Sequence, residues 1–142
     1  MNEASKTQIS YYEDAYGLTI RIDAPTKTWL EYLKQYIYQL ICEELHELEI
    51  TSMKNVEIND DLKSLILRKA HGGKHQKLKE SNENCFIWLQ DTEELITLVG
   101  LINGLLHSDR PGHQYLTNEN SRILIVLAYK ESIRGKLHEN TC

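Results

Sequence analysis

Residues 85–131 restrict the possible folds of this chain more than any other segment. They begin with an apolar run at 85–89 and continue with leucine, isoleucine and valine at helical spacing over 92–107. A turn follows at 110–112, and the segment closes with an apolar run at 123–129 that no charged side chain interrupts. This order predicts a strand, a helix, a turn and a buried strand.

The first half of the chain shows a similar order of patterns. Residues 18–22 alternate apolar and polar side chains, as a half-buried strand does. Short polar residues and a proline at 23–26 predict a helix start, and the helical spacing continues to about residue 45. Residues 62–69 predict another strand. The segments 9–70 and 83–131 therefore fit an internal duplication, although α+β chains also resemble themselves by chance.

We predict from these patterns a single α+β domain over residues 1–142. Two strand–helix–strand–strand units would form one mostly antiparallel sheet, and both helices would pack on one face of it.

Two glycines in the second helix predict that something approaches this helix closely. In a helix, Gly100 and Gly104 each cost about 1 kcal/mol relative to alanine. The neighbour is either the first helix or a second copy of the chain, so the protein is a monomer or a homodimer. We favour the first helix, which carries large side chains that could enter the groove: Trp29, Leu33, Tyr36 and Leu40.

Composition indicates an ordinary globular protein. The net charge of −5 argues against general nucleic-acid binding, which needs a basic face. No apolar stretch has the length of about 20 residues that a membrane helix needs. Three cysteines without CxxC spacing suit reduced thiols, and the polar first residues lack a signal-peptide pattern, so we expect a cytoplasmic location.

No motif in the sequence predicts catalysis, a metal or a cofactor. His71 and His75 are four apart, but the glycines between them indicate a loop and not a metal-binding helix face. Gly72, Gly73 and Lys74 resemble part of a phosphate-binding loop, yet His75 stands where serine or threonine is needed. We therefore expect a protein that is not an enzyme.

A protein partner is the interaction that the sequence favours. Exposed tyrosines provide contact area at low entropic cost, and carboxylates steer a basic partner. The alternative is that the tyrosines cover the sheet while the acids keep the protein in solution. The candidate partner-binding residues are Tyr11, Tyr12, Asp14, Tyr16, Glu43, Glu44 and Glu47.

A rival hypothesis is a protein that sequesters a nucleotide or another small anion. Basic residues in loops beside strand ends often bind anions. The candidate anion-binding residues are His71, Lys74, Arg110, His113 and Arg122.

The second half also resembles the small α+β immunity proteins of bacterial polymorphic toxin systems. The resemblance depends on the apolar helix at 94–106, the segment at 111–116 and the closing strand at 123–127, about a third of the chain. In that family a histidine-containing turn joins such a helix to such a strand; here Tyr115 stands where a second histidine is expected. The resemblance implies a non-enzymatic cytoplasmic protein that binds and neutralises a toxin. A phage-type inhibitor of a defence protein is the other inhibitory function that we consider.

Overall fold

A computed structural model describes residues 6–15, 17–59, 61–71, 77–117 and 122–130. These residues form nine strands, two α-helices and one 3₁₀ turn at Ile50–Ser52. The first seven strands are β1 (Thr7–Asp14), β2 (Gly17–Ala24), β3 (Glu47–Glu49), β4 (Val56–Ile58), β5 (Ser64–Lys69), β6 (Leu78–Asn82) and β7 (Cys85–Gln90). The last two strands are β8 (Gly112–Tyr115) and β9 (Ile123–Tyr129), and the helices are α1 (Lys27–Ile41) and α2 (Thr92–Leu106).

The α+β fold class is confirmed, but the prediction of one mostly antiparallel sheet was wrong. The strands form two mixed sheets, in the orders β4-β1-β2-β9-β8 and β3-β5-β7-β6. A parallel pair lies inside each sheet, β2 with β9 in the first and β5 with β7 in the second. β9 suits this place because Ile125, Val126, Leu127 and Ala128 are all buried, and parallel strands are usually covered on both faces.

The parallel pairs join the two halves of the chain. Each half begins with an antiparallel hairpin (β1-β2 or β6-β7), and the hairpin of one half pairs with the last strand of the other. The registers correspond: Ile20 is opposite Ile125 in one sheet, as Phe86 is opposite Leu65 in the other. This symmetry is what a duplication would produce, and the duplication itself stays a prediction.

Side-chain hydrogen bonds repeat the same correspondence. The Thr51 hydroxyl accepts the backbone N–H of Leu65 at 3.2 Å, and the Thr117 hydroxyl accepts that of Ile125 at 3.1 Å. One buried hydrophobic cluster contains residues of both sheets and both helices. The two halves therefore share a core.

The helix ends differ in how well the sequence predicted them. α2 begins after Asp91 with a capping box, in which Glu94 and Asp91 exchange hydrogen bonds of 2.8 Å, as the sequence indicates. α1 ends at Ile41 and not near residue 45, because Glu43 adopts a left-handed backbone with φ of 63°. The Lys69 side chain, which donates to the Ile41 carbonyl at 3.1 Å, stabilises this end.

Two strands escaped prediction. β4 and β6 are short or polar edge strands, in which no apolar alternation marks the strand. Within the ranges given above, neither helix has the length and apolarity needed to cross a membrane.

Candidate functional site

The acidic residues proposed for partner binding meet the basic residues of β5. Glu43 accepts a hydrogen bond from Lys69 at 2.9 Å, and Glu47 pairs with Arg68 at 2.8 Å. The hydrogen bond from Lys69, followed by its charge, lowers the pKa of the Glu43 carboxyl below its usual value. Two of the predicted acids are therefore already neutralised within the chain, while Glu44 remains exposed.

The predicted aromatic residues lie elsewhere, on β1 of the first sheet. Tyr11 is half-buried, and the centre of its ring lies 4.9 Å from that of Phe86. Because Phe86 is on β7, this contact links the two sheets. Burial, followed by the charges of Glu80 and Glu13, raises the pKa of the Tyr11 phenol. Tyr12 is also half-buried. These two tyrosines fit the alternative hypothesis, in which they cover the sheet.

Two predicted partner residues have no described side chain. Asp14 ends β1, but its side chain is outside the described part of the chain, as is all of Tyr16. Tyr11 and Tyr12 belong to the first sheet, whereas Glu47 belongs to the second and Glu43 and Glu44 follow α1, so these candidates do not define one surface.

The predicted anion-binding residues are also dispersed. His113 on β8 pairs with Ala128 near the end of β9, whereas Arg122 precedes the start of β9. Six residues of extended strand separate these positions by about 20 Å. Arg110 lies before β8, at the His113 end. One pocket cannot contain all three side chains.

The other anion candidates belong to the connection that follows β5. His71 is exposed there, and Lys74 lies outside the described residues. Of the neighbouring basic residues, Arg68, Lys69 and Lys77 each form an ion pair with a glutamate. These three basic residues are therefore paired within the chain.

The two helices pack against each other in antiparallel orientation. The Lys34 ammonium donates to the Asn103 side chain at 3.1 Å, and the Lys27 ammonium lies 3.9 Å from the Asp109 carboxylate beyond the end of α2. Residues later in α1 therefore lie opposite residues earlier in α2. This register places Tyr38, one turn after Lys34, opposite the part of α2 that contains Gly100.

Large side chains are exposed on both helices of this pair. Tyr32, Tyr36 and Tyr38 of α1 are 48%, 39% and 47% exposed, and Ile96 of α2 is 54% exposed. Tyr32 and Tyr36 are one turn apart on one flank of α1, and Tyr38 is on the flank that carries Lys34. These residues and Gly100 are called the helix-pair surface below.

The sequence contained a signal for these tyrosines that the prediction did not use. The buried residues of α1 include Leu30, Leu33, Ile37 and Leu40, which fix the helical phase. Tyr32, Tyr36 and Tyr38 lie outside that apolar stripe, so the phase alone predicts their exposure.

The predicted neighbour of the glycines was wrong. A side chain at Gly100 would meet no heavy atom within 4 Å, and one at Gly104 would approach only the Gln114 side-chain nitrogen at 3.3 Å. Of the residues expected to enter the groove, Trp29, Leu33 and Leu40 are buried in the core. Within the described chain, the space over Gly100 is open.

Acidic residues lie at one end of the helix-pair surface. The end of α1 is followed by exposed Glu44, and the first turn of α2 contains exposed Glu93. Because the helices are antiparallel, both carboxylates belong to the same end of the pair. Tyr38, Ile96 and Gly100, with acids at their edge, form an exposed surface suited to binding another protein, and Tyr32 and Tyr36 extend it around α1.

The described residues contain no cluster of three or more histidine, cysteine or acidic side chains that could hold a metal ion. Comparison with family models, with curated proteins and with solved structures finds no match to this chain.

Proposed function

We propose that this protein binds another protein through the helix-pair surface and inhibits that partner by covering its active site. Partial exposure of Tyr32, Tyr36 and Tyr38 on one short helix supports the proposal. Tyrosine is enriched among the residues that contribute most to binding energy. A bacterial toxin or a defence protein is the partner class that the resemblance to immunity proteins suggests, and a cytoplasmic location belongs to the same proposal.

The open space beside Gly100 is the observation that supports the proposal most strongly. A glycine inside a helix costs about 1 kcal/mol relative to alanine. Within the described chain no atom uses the space that its missing side chain leaves. A partner that approaches the α2 backbone between Ile96 and Tyr38 would give this glycine a physical reason.

Charge indicates which kind of partner surface would fit. The chain has a net charge of −5, and Glu44 and Glu93 form no ion pair with described residues. A basic surface beside the partner's active site would be attracted to this end of the helix pair. Association should then slow as the salt concentration rises.

The test combines capture with an inhibition assay. The wild-type protein is used to capture a partner from its native host, and the partner's enzymatic activity is measured with and without an equimolar amount of the protein. The triple variant Tyr32→Ser, Tyr36→Ser and Tyr38→Ser should lose both capture and inhibition. Tyr115→Ser is the matched control, because Tyr115 is 56% exposed but lies on β8.

Two results would count against this function. Capture that is equally strong with the folded triple variant would show that the partner uses another surface. A partner whose activity stays unchanged at saturating concentrations would show that binding is not inhibitory. Circular dichroism of each variant establishes that the fold is intact.

A further inference from the structure

A pocket of about 250 Å³ opens in the second half of the molecule, between β6, β7, α2 and the end of β8. Its apolar walls are formed by Leu78, Trp88, Leu98, Leu101 and Leu116. Lys77, Gln90, Glu94, Thr97, Tyr115 and Thr117 supply its polar groups. The pocket lies apart from Tyr38, Ile96 and Gly100.

In the first half of the molecule, a tryptophan stands at the position equivalent to Glu94, which lines the pocket. Trp29 and Glu94 occupy the same place in their helices, since each donates its backbone N–H to the capping side chain, Thr26 or Asp91. Trp29 is 3% exposed and fills the core of its half. Glu94 is a smaller, charged residue, and space remains beside it.

The carboxylate of Glu94 is held firmly by one of its oxygens. Oε1 accepts one hydrogen bond from the Lys77 ammonium at 3.0 Å and another from the Asp91 backbone N–H at 2.8 Å. Among the described residues, Oε2 has no hydrogen-bond partner. The pocket therefore combines apolar walls with a fixed acceptor that can receive a hydrogen bond from a ligand.

We propose that this pocket binds a planar heteroaromatic ring that carries an N–H donor, such as an indole or a purine base. The ring would occupy the space that the Trp29 indole fills in the first half. Its N–H would donate to Oε2 of Glu94. The volume is below the range of about 300–1,000 Å³ found for drug-sized ligands, which favours one ring system over a whole nucleotide.

The two tryptophans of the chain provide a built-in readout. Trp88 lines the pocket and Trp29 fills its counterpart, so their side-chain N–H signals report on the two positions separately. The ¹⁵N-labelled protein is titrated with indole, with adenine, and with benzofuran, which has the shape of indole but no N–H. A Trp29→Phe variant assigns the two signals.

The expected result is a saturable shift of the Trp88 signal, with the Trp29 signal unchanged. A hydrogen bond to a charged acceptor contributes about 1.5–3 kcal/mol, so indole should bind about tenfold or more tightly than benzofuran. The relative affinities of indole and adenine would show which ring type the pocket prefers. The proposal is independent of the partner-binding surface, and its failure would leave the proposed function unaffected.

Two substitutions of Glu94 sharpen the test. Glu94→Gln can keep the capping box, but its amide nitrogen would face the ligand, and the preference for indole over benzofuran should disappear. Glu94→Trp copies the first half and should abolish binding by filling the pocket. The proposal would be overturned by a Trp88 signal that no probe shifts, by equal shifts at Trp29, or by binding that persists in a folded Glu94→Trp variant.

Discussion

At the third residue of α1 this protein has Trp29, and at the third residue of α2 it has Glu94. Both residues lie three positions after a capping side chain in helices of the same length, and both helices connect the two sheets. In the first half the tryptophan closes the core, whereas in the second half the carboxylate pairs with Lys77 and leaves a pocket. The comparison teaches that one backbone arrangement can be closed or left open by the side chains at equivalent positions, here Trp29 and Tyr36 against Glu94 and Leu101.

The largest effect on the free energy of unfolding is expected from truncating the side chains at the two equivalent positions. Trp29→Ala should lower the free energy of unfolding by about 3–5 kcal/mol, the range for deleting a large buried aromatic side chain. Glu94→Ala removes half of a capping box and an ion pair, and should cost about 1 kcal/mol. Urea denaturation with fitted midpoints and slopes measures both. Similar losses at the two positions would show that the halves are closed to the same extent.

The next test concerns the two threonine hydroxyls that accept a backbone hydrogen bond from the equivalent strands β5 and β9. Thr51→Val leaves the buried N–H of Leu65 without an acceptor, which should cost about 1–3 kcal/mol. Thr117→Val should cost less, because Thr117 is half-buried and water can replace its hydroxyl at the N–H of Ile125. Thermal unfolding monitored by circular dichroism ranks the two variants. A greater loss at Thr117 would reverse the assignment of the first half as the better-closed one.

A smaller effect is expected on the outer side of the helices, where Gly100 of α2 corresponds to Gln35 of α1. Gly100→Ala should raise the free energy of unfolding by about 0.5–1 kcal/mol, since a methyl group there meets no other atom. Gln35→Gly should lower it by a similar amount. If Gly100 serves a partner, the alanine variant should also bind that partner less tightly. A variant that is both more stable and equally active would leave Gly100 without a role in binding.

The smallest effect is a pH dependence expected from the Glu43–Lys69 pair at the end of α1. The pKa of Glu43 is lowered by Lys69, whereas Tyr129 occupies the place of Lys69 in the second half. A lowered pKa in the folded state means that the pair stabilises the fold fully above the unfolded pKa and loses this effect as pH falls through the folded pKa. The difference in melting temperature between wild type and Glu43→Gln should therefore shrink as the pH is lowered from 7 to 3. A constant difference would contradict the ion pair.

The sequence also predicted candidate sites, and several of the residues named for them form ion pairs within the chain. Glu43 and Glu47 were predicted to face a partner. The antiparallel pairing of β3 with β5 brings Glu47 against Arg68, and the left-handed turn at Glu43 brings it to Lys69. Opposite charges that are distant in sequence neutralise each other once the strands pair, which no local pattern indicates.

The sequence by itself determined the helices, the capping of α2 and most of the strands, because these follow from periodic side chains and local hydrogen bonds. It also contained the phase that exposes the tyrosines of α1. Only the tertiary structure decided that β2 pairs with β9 and β5 with β7, and hence that two sheets form in place of one. The physical reason is that every strand presents the same backbone donors and acceptors. The choice of neighbour therefore depends on how the whole core packs, as does the open space beside Glu94.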